Sequence, residues 1–437
     1  MTRDLIEQET PDIIAGLVVP GIGENPIPDG TRITETEGLV EALGVRLGFS
    51  IALKIRDPNA GQLFGSGQLD NIEQHVRDHS VDMVVIDCAL TPVQQRNLER
   101  QLQVKIVDRT GLILEIFGLR ARTSEGRLQV EMARILYERS RLVRTWTHLE
   151  RQRGGRGFLA GPGESQLEAD RRMLDRQIAR LKVSIEDVRK TRNIQRQGRR
   201  KRGKPVVALV GYTNAGKSTL FNRLTDSNVF SADMPFATLD PTIREFTLPS
   251  GDRLALIDTV GFISELPTTL VDSFRATIEE AMEADMLLHI RDISAEQTDQ
   301  QAEDVETVLQ QLESDAKQDR PPLIEVWNKA DLVNEDDLAI LNARAANRSD
   351  VVLVSSKDGA GFENLLDIIQ EVAFRKRVVE DFILEPKLGQ ARAWLYEQGD
   401  VLEETGDENG NIKLKVELDE VVLARFLEKF PTVDVAS

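Results

Sequence analysis

The sequence has almost nothing with which to make covalent or metal cross-links: one cysteine, Cys88, and four histidines in 437 residues. A single thiol excludes an intramolecular disulfide framework, and four histidines without a CxxC partner argue against a structural zinc site. Both fit a reducing, cytoplasmic setting. Long apolar runs are also missing. The longest, "IIAGLVV" near the N-terminus and "VVALV" at 206–210, fall far short of the roughly 20 residues that a membrane span needs. The opening "MTRDLIEQETPD" does not read as a secretory signal, because acidic and polar residues stand where basic and apolar ones belong. What remains is a globular composition, 41% hydrophobic and 29% charged. At this length a single core is insufficient, so two to four domains are expected.

Charge is scarce in one sign and concentrated in the other. The formal net charge is −18, which at first argues against a nucleic-acid partner. Between Arg120 and Lys204, however, 24 Lys and Arg face 10 Asp and Glu, a net of +14, which leaves −32 for the rest. A basic segment inside an acidic chain is the footprint of an anionic partner.

Up to about residue 121, β-type runs ("IIAGLVVP", "FSIALKI", "DMVVIDC", "VKIVDR") alternate with helix-like stretches ("ETEGLVEALG", "LDNIEQHVRDH", "PVQQRNLERQLQ"). That alternation predicts βαβ units and a small α/β domain over residues 1–125. The period then changes. Leu128, Met132, Ile135, Leu142, Trp146 and Leu149, and after them Leu174, Ile178, Leu181, Ile185 and Val188, keep 3/4 spacing. "RQRGGRGFLAGPGESQ" separates the two sets, with glycines and Pro162 expected to stop a helix. Residues 126–203 therefore read as an antiparallel two-helix coiled-coil hairpin with an Arg/Gly loop. Arg171, Arg172, Arg176, Arg180, Arg189 and Arg192 recur along the second helix, and "RQGRRKRGK" follows. Arginine suits phosphate recognition because its planar fork pairs two oxygens. From 204 to 376 strands and helices alternate again, predicting a mostly parallel sheet, and 377–437 read as a small α+β module with a hairpin around Glu408, Asn409 and Gly410.

The chemistry lies in the third region. "VVALVGYTNAGKSTLFNRL" is a β-type run, then Gly211, Tyr212, Thr213, Asn214, Ala215, Gly216, Lys217 and Ser218, then Thr219 in a helical pattern. Glycines at this spacing let successive N–H groups cradle phosphates at a helix N-terminus; Lys217 offers charge to the β and γ oxygens and Ser218 a hydroxyl to Mg²⁺. "WNKADL" follows an apolar strand, so Asn328, Lys329, Ala330 and Asp331 stand at a strand's carboxyl end, where open α/β sheets bind ligands. An aspartate there accepts from guanine N1–H and its exocyclic amine, a donor pair that adenine lacks. Leaving a buried acceptor unpaired costs about 1–3 kcal/mol, which selects GTP over ATP and disfavours a P-loop ATPase or kinase. Ser355, Ser356 and Lys357 can wall the base. "RLALIDTVGF" ends a strand at Asp258, placed to hold Mg²⁺ through water, and continues through Thr259 and Val260 to Gly261, whose N–H can meet a γ-phosphate. In "FATLD", Phe236, Ala237, Thr238, Leu239 and Asp240 form the remaining contact loop. Thr238 is the candidate second hydroxyl on Mg²⁺, with Thr242 as the competing choice. Lys217, Thr238 and Gly261 are the candidate catalytic set. Phe262 stands where GTPases of the Ras type place a water-orienting glutamine, so intrinsic turnover is expected to be slow.

The ordered set GYTNAGKS, FATLD, DTVG, NKAD and SSK resembles the translation-factor-related P-loop GTPases over 204–376. "FGSGQLD" (64–70), "QQRNLERQLQVKIVDRTGLILEIF" (94–117), "RARTSEGRLQVEMA" (120–133) and "GPGESQLEADRR" (161–172) narrow the resemblance to the HflX family of ribosome-associated GTPases. The resemblance implies GTP hydrolysis stimulated by ribosomes, and binding of the large subunit's RNA through the 126–203 hairpin, with loop tip Gly161–Gly163 reaching the RNA. It also implies dissociation or rescue of stalled ribosomes by a cytoplasmic monomer cycling between GTP and GDP. Asn214 resembles P-loop asparagines that ligate K⁺ beside the phosphates. An assembly factor in which GTP only sets conformation is the alternative. Two departures stand out: Arg291 inside "DMLLHIRDIS", and SSK for the commoner Ser-Ala-Lys. A second nucleotide site near "FGSGQ" is left open, although that stretch lacks a lysine and reads as a strand-to-helix turn.

Overall fold

The computed structural model describes residues 13–23, 28, 30–145, 162–200, 204–225, 235–236, 238–263, 281–316, 320–374, 377–406, 411–431 and 433–436. They form two compact units, one of 1–246 with 253–360 and the other of 247–252 with 361–437.

The first unit opens with a parallel four-stranded sheet in the order β2-β1-β3-β4: β1 (Ile14–Ile22), β2 (Arg46–Ile55), β3 (Met83–Ile86) and β4 (Lys105–Asp108). Its helices are α1 (Gly30–Glu41), α2 (Ser66–Asp78), α3 (Pro92–Leu102) and α4 (Arg109–Arg120). Successive strand residues point to opposite faces. Ala15, Leu17, Val19, Met83 and Val85 face one core with Leu39, Ile113 and Phe117, whereas Val18, Val84 and Ile86 face another with Leu69, Ile72 and Leu98. Burial on both faces explains why these strands are near-continuous apolar runs. The expected strands and three helices are present. The sequence pattern does not mark α4, because "RTGLILEIFGLR" is apolar on most sides and exposes only Glu115 and Leu119.

The basic segment folds as α5 (Ser124–Thr145) and α6 (Pro162–Arg200). Met132 and Ile135 pack against Leu174, Ile178, Leu181 and Ile185, and Arg139 pairs with Asp175 at 2.9 Å. Pro162, expected to stop a helix, instead begins α6; a proline at the first helical position lacks only an N–H that has no intrahelical partner anyway. Arg171, Arg172, Arg176 and Arg180 are exposed. Trp146, Leu149 and Gly161, and the side chains of Arg189 and Arg192, lie outside the described residues. Asp108 ties α5 to the first sheet: it caps α4 at Gly111 N (2.8 Å) and accepts from Tyr137 Oη (2.6 Å) and Arg141 Nη2 (2.5 Å).

A six-stranded sheet follows in the order β10-β9-β8-β5-β7-β6, built from β5 (Val206–Gly211), β6 (Thr242–Thr247), β7 (Arg253–Asp258), β8 (Met286–Asp292), β9 (Leu323–Asn328) and β10 (Val351–Leu353). Strand β5 pairs in parallel with β7 on one side and β8 on the other, and β8, β9 and β10 continue in parallel. The chain thus leaves β5 in opposite directions, which opens a crevice at its carboxyl end. Helices α7 (Lys217–Thr225), α8 (Thr298–Ala316) and α9 (Glu335–Ala346) belong to this part.

The second unit comprises α10 (Phe362–Ala373), β11 (Arg377–Leu384), α11 (Gly389–Gln398), β12 (Asp400–Gly406), β13 (Ile412–Asp419), α12 (Glu420–Lys429) and β14 (Asp434–Ala436). Its antiparallel sheet runs β12-β13-β11-β14 around Phe382, Leu414, Val416 and Phe426. The expected hairpin joins β12 to β13, with its tip at 407–410 outside the described residues. Helix α10 falls within this unit, where Gln370 accepts from Ser250 Oγ (2.6 Å) and donates to Asp252 (2.9 Å).

Candidate functional site

Strand β5 ends at Gly211 with φ +148°, and a Cβ there would lie 2.2 Å from the Ile290 carbonyl oxygen. The loop continues through Asn214 (φ +61°) and Gly216 (φ +92°), whose missing Cβ leaves room for Asn328 Nδ2. It delivers Lys217 as the first residue of α7. Lys217 is buried, and its Nζ donates to Gly211 O (3.0 Å) and Tyr212 O (2.7 Å). Burial pushes its pKa down to about 8, with the Asp258 carboxylate pulling the other way. A buried ammonium held by two carbonyls at a helix N-terminus is arranged to receive an anion. Thr219 and Asn214 are exposed.

Beside it, three oxygen side chains converge. Ser218 Oγ and Thr238 Oγ1 lie 2.8 Å apart and donate to Asp258 Oδ2 at 2.8 and 2.9 Å. Asp258 is fully buried, its Oδ1 has no hydrogen-bond partner among the described residues, and desolvation raises its pKa. An orphaned carboxylate oxygen next to two hydroxyls is a hard-oxygen donor set that fits Mg²⁺ with water in its shell. The competing Thr242 opens β6 instead. Gly261 closes the site: a Cβ there would meet Thr213 Cα at 2.9 Å and Lys217 Nζ at 3.0 Å, so no side chain fits.

On the base side, Asn328 is buried and ties two loops together, donating to Ala215 O (2.8 Å) and accepting from Ser356 N (3.0 Å) and Oγ (2.8 Å). Asp331 accepts from Ser355 Oγ at 2.8 Å, with Lys357 Nζ 4.0 Å away. Lys329, in the left-handed region at φ +65°, pairs with Asp292 at 2.7 Å, and Ala330 opens a 3₁₀ turn. Arg223, which no motif marks, caps this base loop from α7 by donating to Lys357 O and Asp358 O, both at 2.6 Å. Its position six residues after Lys217 on α7 is the only sequence signal for it.

Several expected contacts do not come together here. Phe236 turns away and packs edge-on against Phe117 of α4, with centroids 4.7 Å apart. Leu239 joins the same core, and Asp240 points to the start of α5. Thr238 therefore reaches the crevice without the Phe236 and Leu239 side chains. Apolar burial holds the Phe236 and Leu239 side chains and backbone capping holds that of Asp240, so these side chains serve the core and the α5 cap. Ala237 lies outside the described residues. Thr259 donates to Leu209 O (2.6 Å) and Val260 is core, so those two also serve packing. Phe262 is buried in the core while its backbone bonds the P-loop: Thr213 N donates to Phe262 O (2.6 Å) and Phe262 N to Gly211 O (3.1 Å). Tyr212 Oη donates to Glu35 of α1 at 2.7 Å, and Glu35 pairs at 3.0 Å with Arg109, which also pairs with Asp87. Arg291 stands near the end of β8, paired with Glu325 (2.7 Å) and Asp299 (2.5 Å), which accounts for a charge in that strand. At "FGSGQ", Gln68 folds back on Gly65 N (3.1 Å), closing a strand-to-helix turn.

Comparison with known proteins extends the motif reading across the chain. The family described as GTP-binding GTPase N-terminal matches residues 30–118, GTP-binding GTPase Middle Region matches 120–199, and 50S ribosome-binding GTPase matches 206–329. A GTPase HflX of Magnetococcus marinus is 48% identical over 83% of this chain and 82% of its own. Another, of Escherichia coli, is 40% identical over 93% and 94%. A crystal structure of a GTP-binding protein from Sulfolobus solfataricus in complex with GDP has a TM-score of 0.46 at 23% identity, covering 83% of this chain and 98% of that one.

Proposed function

Since the chain belongs to the HflX family of GTPases, we propose that it hydrolyses GTP in the crevice at the end of β5 and uses the nucleotide state to dissociate or rescue ribosomes at the large subunit. The observation that carries the hydrolytic reading is the buried, unpartnered Asp258 Oδ1 beside Ser218, Thr238 and Lys217. The family description 50S ribosome-binding GTPase and the +14 segment support the ribosomal reading.

In this reading water attacks the γ-phosphorus in line, its oxygen forms the new P–O bond, and the bond to the β-phosphate oxygen breaks to leave GDP and phosphate. The N–H groups of 213–218 and Lys217 hold the β and γ oxygens, and Lys217 exchanges its two carbonyl partners for phosphate. The Gly261 N–H meets the γ-phosphate, and Asp331 accepts from guanine while Asn328 and Arg223 hold the loops around the base. Ser218 and Thr238 would ligate Mg²⁺ directly and Asp258 through water; when bound, the ion neutralises charge on the β and γ oxygens. The Asn214 side chain, exposed on the loop, would ligate K⁺. Phe262 contributes only its backbone, so water must be ordered by other groups, and turnover is slow until ribosomes supply that order.

The test is the GTPase rate against purified large subunits, for the full chain and for a chain lacking 153–164. Strong acceleration, lost with the loop, is expected. An unchanged rate refutes the ribosomal reading and leaves GTP binding intact.

A further inference from the structure

Thr238 is suspended between two anchors that lie outside the nucleotide crevice. On one side Phe236, in the left-handed region at φ +55° and 2% exposed, is wedged against Phe117 of α4. On the other, the Asp240 carboxylate accepts from Arg122 N (2.6 Å), Thr123 N (2.7 Å) and Thr123 Oγ1 (2.6 Å). Thr123 Oγ1 in turn accepts from Gly126 N (2.9 Å), as an N-cap does for the first turn of α5. A residue from the Thr238 loop thus fastens the cap of the first hairpin helix, across 117 residues of sequence. Gly126 is shaped to this contact, because a Cβ there would stand 2.0 Å from Asp240 Oδ1.

We propose that Asp240 is a positioning residue: it latches the Thr238 loop to the N-terminus of α5, so that the Thr238 hydroxyl and the basic hairpin helix are set together. The proposal rests on the reading of Thr238 as a magnesium ligand. One residue, Leu239, separates Thr238 from Asp240, a span of at most about 7 Å. Movement of the Thr238 hydroxyl toward or away from the nucleotide therefore pulls on the amides of Arg122 and Thr123. Helix α5 is held at the far side by Asp108, through Tyr137 and Arg141, so a pull at its first turn acts on an anchored lever.

The latch can be opened from either partner in the full-length protein. Asp240→Ala removes the acceptor. Gly126→Ala displaces the carboxylate by its added methyl while improving intrinsic helix propensity, so its effect is separable from misfolding, which a thermal melt checks. Asp240→Asn keeps an oxygen for the two amides and a donor for Thr123 Oγ1. The readouts are the Mg²⁺ concentration for half-maximal GTP hydrolysis and amide exchange at 122–126 in the GDP state against a non-hydrolysable GTP analogue. Thr238→Ala, Asp240→Ala and Gly126→Ala should each raise the Mg²⁺ half-saturation about tenfold, with Asp240→Asn within about twofold of wild type. The nucleotide-dependent difference in exchange should vanish in Asp240→Ala and Gly126→Ala. If Thr238→Ala raises the half-saturation and the two latch variants leave it and the exchange difference unchanged, the latch is refuted and the site reading stands. If Thr238→Ala itself has no effect, the site reading fails, and the latch with it.

Discussion

Replacing Asn328 by alanine probes how far the nucleotide site depends on the tie between its two loops. Asn328 is buried, and its amide serves Ala215 O, Ser356 N and Ser356 Oγ at 2.8, 3.0 and 2.8 Å. Truncation removes three bonds and leaves two donors and a carbonyl in a dry environment, each costing about 1–3 kcal/mol if nothing replaces the partner. Water entering the vacated space recovers part of this, so a total of about 3–5 kcal/mol is expected, divided between fold stability and nucleotide affinity. If a little over half appears in affinity, the Kd for GDP rises about 100-fold. The remainder should lower Tm by about 5 °C. Titration of a fluorescent GDP analogue and a thermal melt measure the two parts, with Ser356→Ala as the milder control that removes only one hydroxyl. Binding within threefold of wild type at an unchanged Tm would refute the idea that Asn328 couples the P-loop to the base loop.

Lys217 predicts a pH dependence with a defined sign. Its pKa of about 8 in the nucleotide-free fold means that phosphate binds the form present below pH 8. GTP affinity should fall about tenfold per pH unit above that point, with proton uptake visible by calorimetry in buffers of different ionisation enthalpy. Because the unfolded chain keeps this proton up to about 10.4, the burial penalty on Lys217 is fully present below pH 8 and relieved as pH rises between the two values, so nucleotide-free stability gains there from this group. A flat affinity between pH 7 and 9 would contradict the burial argument. Phe262→Gln should not accelerate hydrolysis, since the side chain sits in the core; it should instead destabilise the fold by about 2 kcal/mol through an unpaired buried amide, and a tenfold faster rate would place that side chain at the water. Hydrolysis in K⁺ and Na⁺ buffers tests Asn214 as a cation ligand: a higher rate in K⁺ is expected, and equal rates would end that assignment.

Much of the site was legible because its chemistry binds residue type to spacing. The Gly211-to-Ser218 run, Asp258 at a strand end and Asn328 to Asp331 after another stand out in local sequence, and the fold brings them to one crevice. What was not legible is long-range. Nothing near "FATLD" announces that Phe236 belongs to a core shared with α4 or that Asp240 closes a helix cap 117 residues earlier. Arg223 looks like any helical surface arginine until the base loop folds over it. Helix α4 escaped because its exposed positions, Glu115 and Leu119, carry one charge and one apolar side chain, which blurs the 3.6-residue alternation that reveals amphipathic helices. Pro162 was misplaced because proline both ends and begins helices, and only neighbouring structure says which.

The shared core has a consequence for how this chain can be cut or recombined. Tyr212, Phe236 and Phe262 of the nucleotide half lie in one apolar cluster with Leu39, Ile113 and Phe117 of the first α/β layer, and Tyr212 also reaches Glu35. The catalytic half is therefore not a removable cassette. Expressed alone, it would present to water the apolar wall that now backs its P-loop, and would tend to self-associate. In a chimera with a relative, α1 and α4 would have to travel with the P-loop, although 90 residues or more separate them from it in sequence. The unit that selection and engineering must treat as whole is drawn by that wall, and it crosses the boundary the motifs suggest.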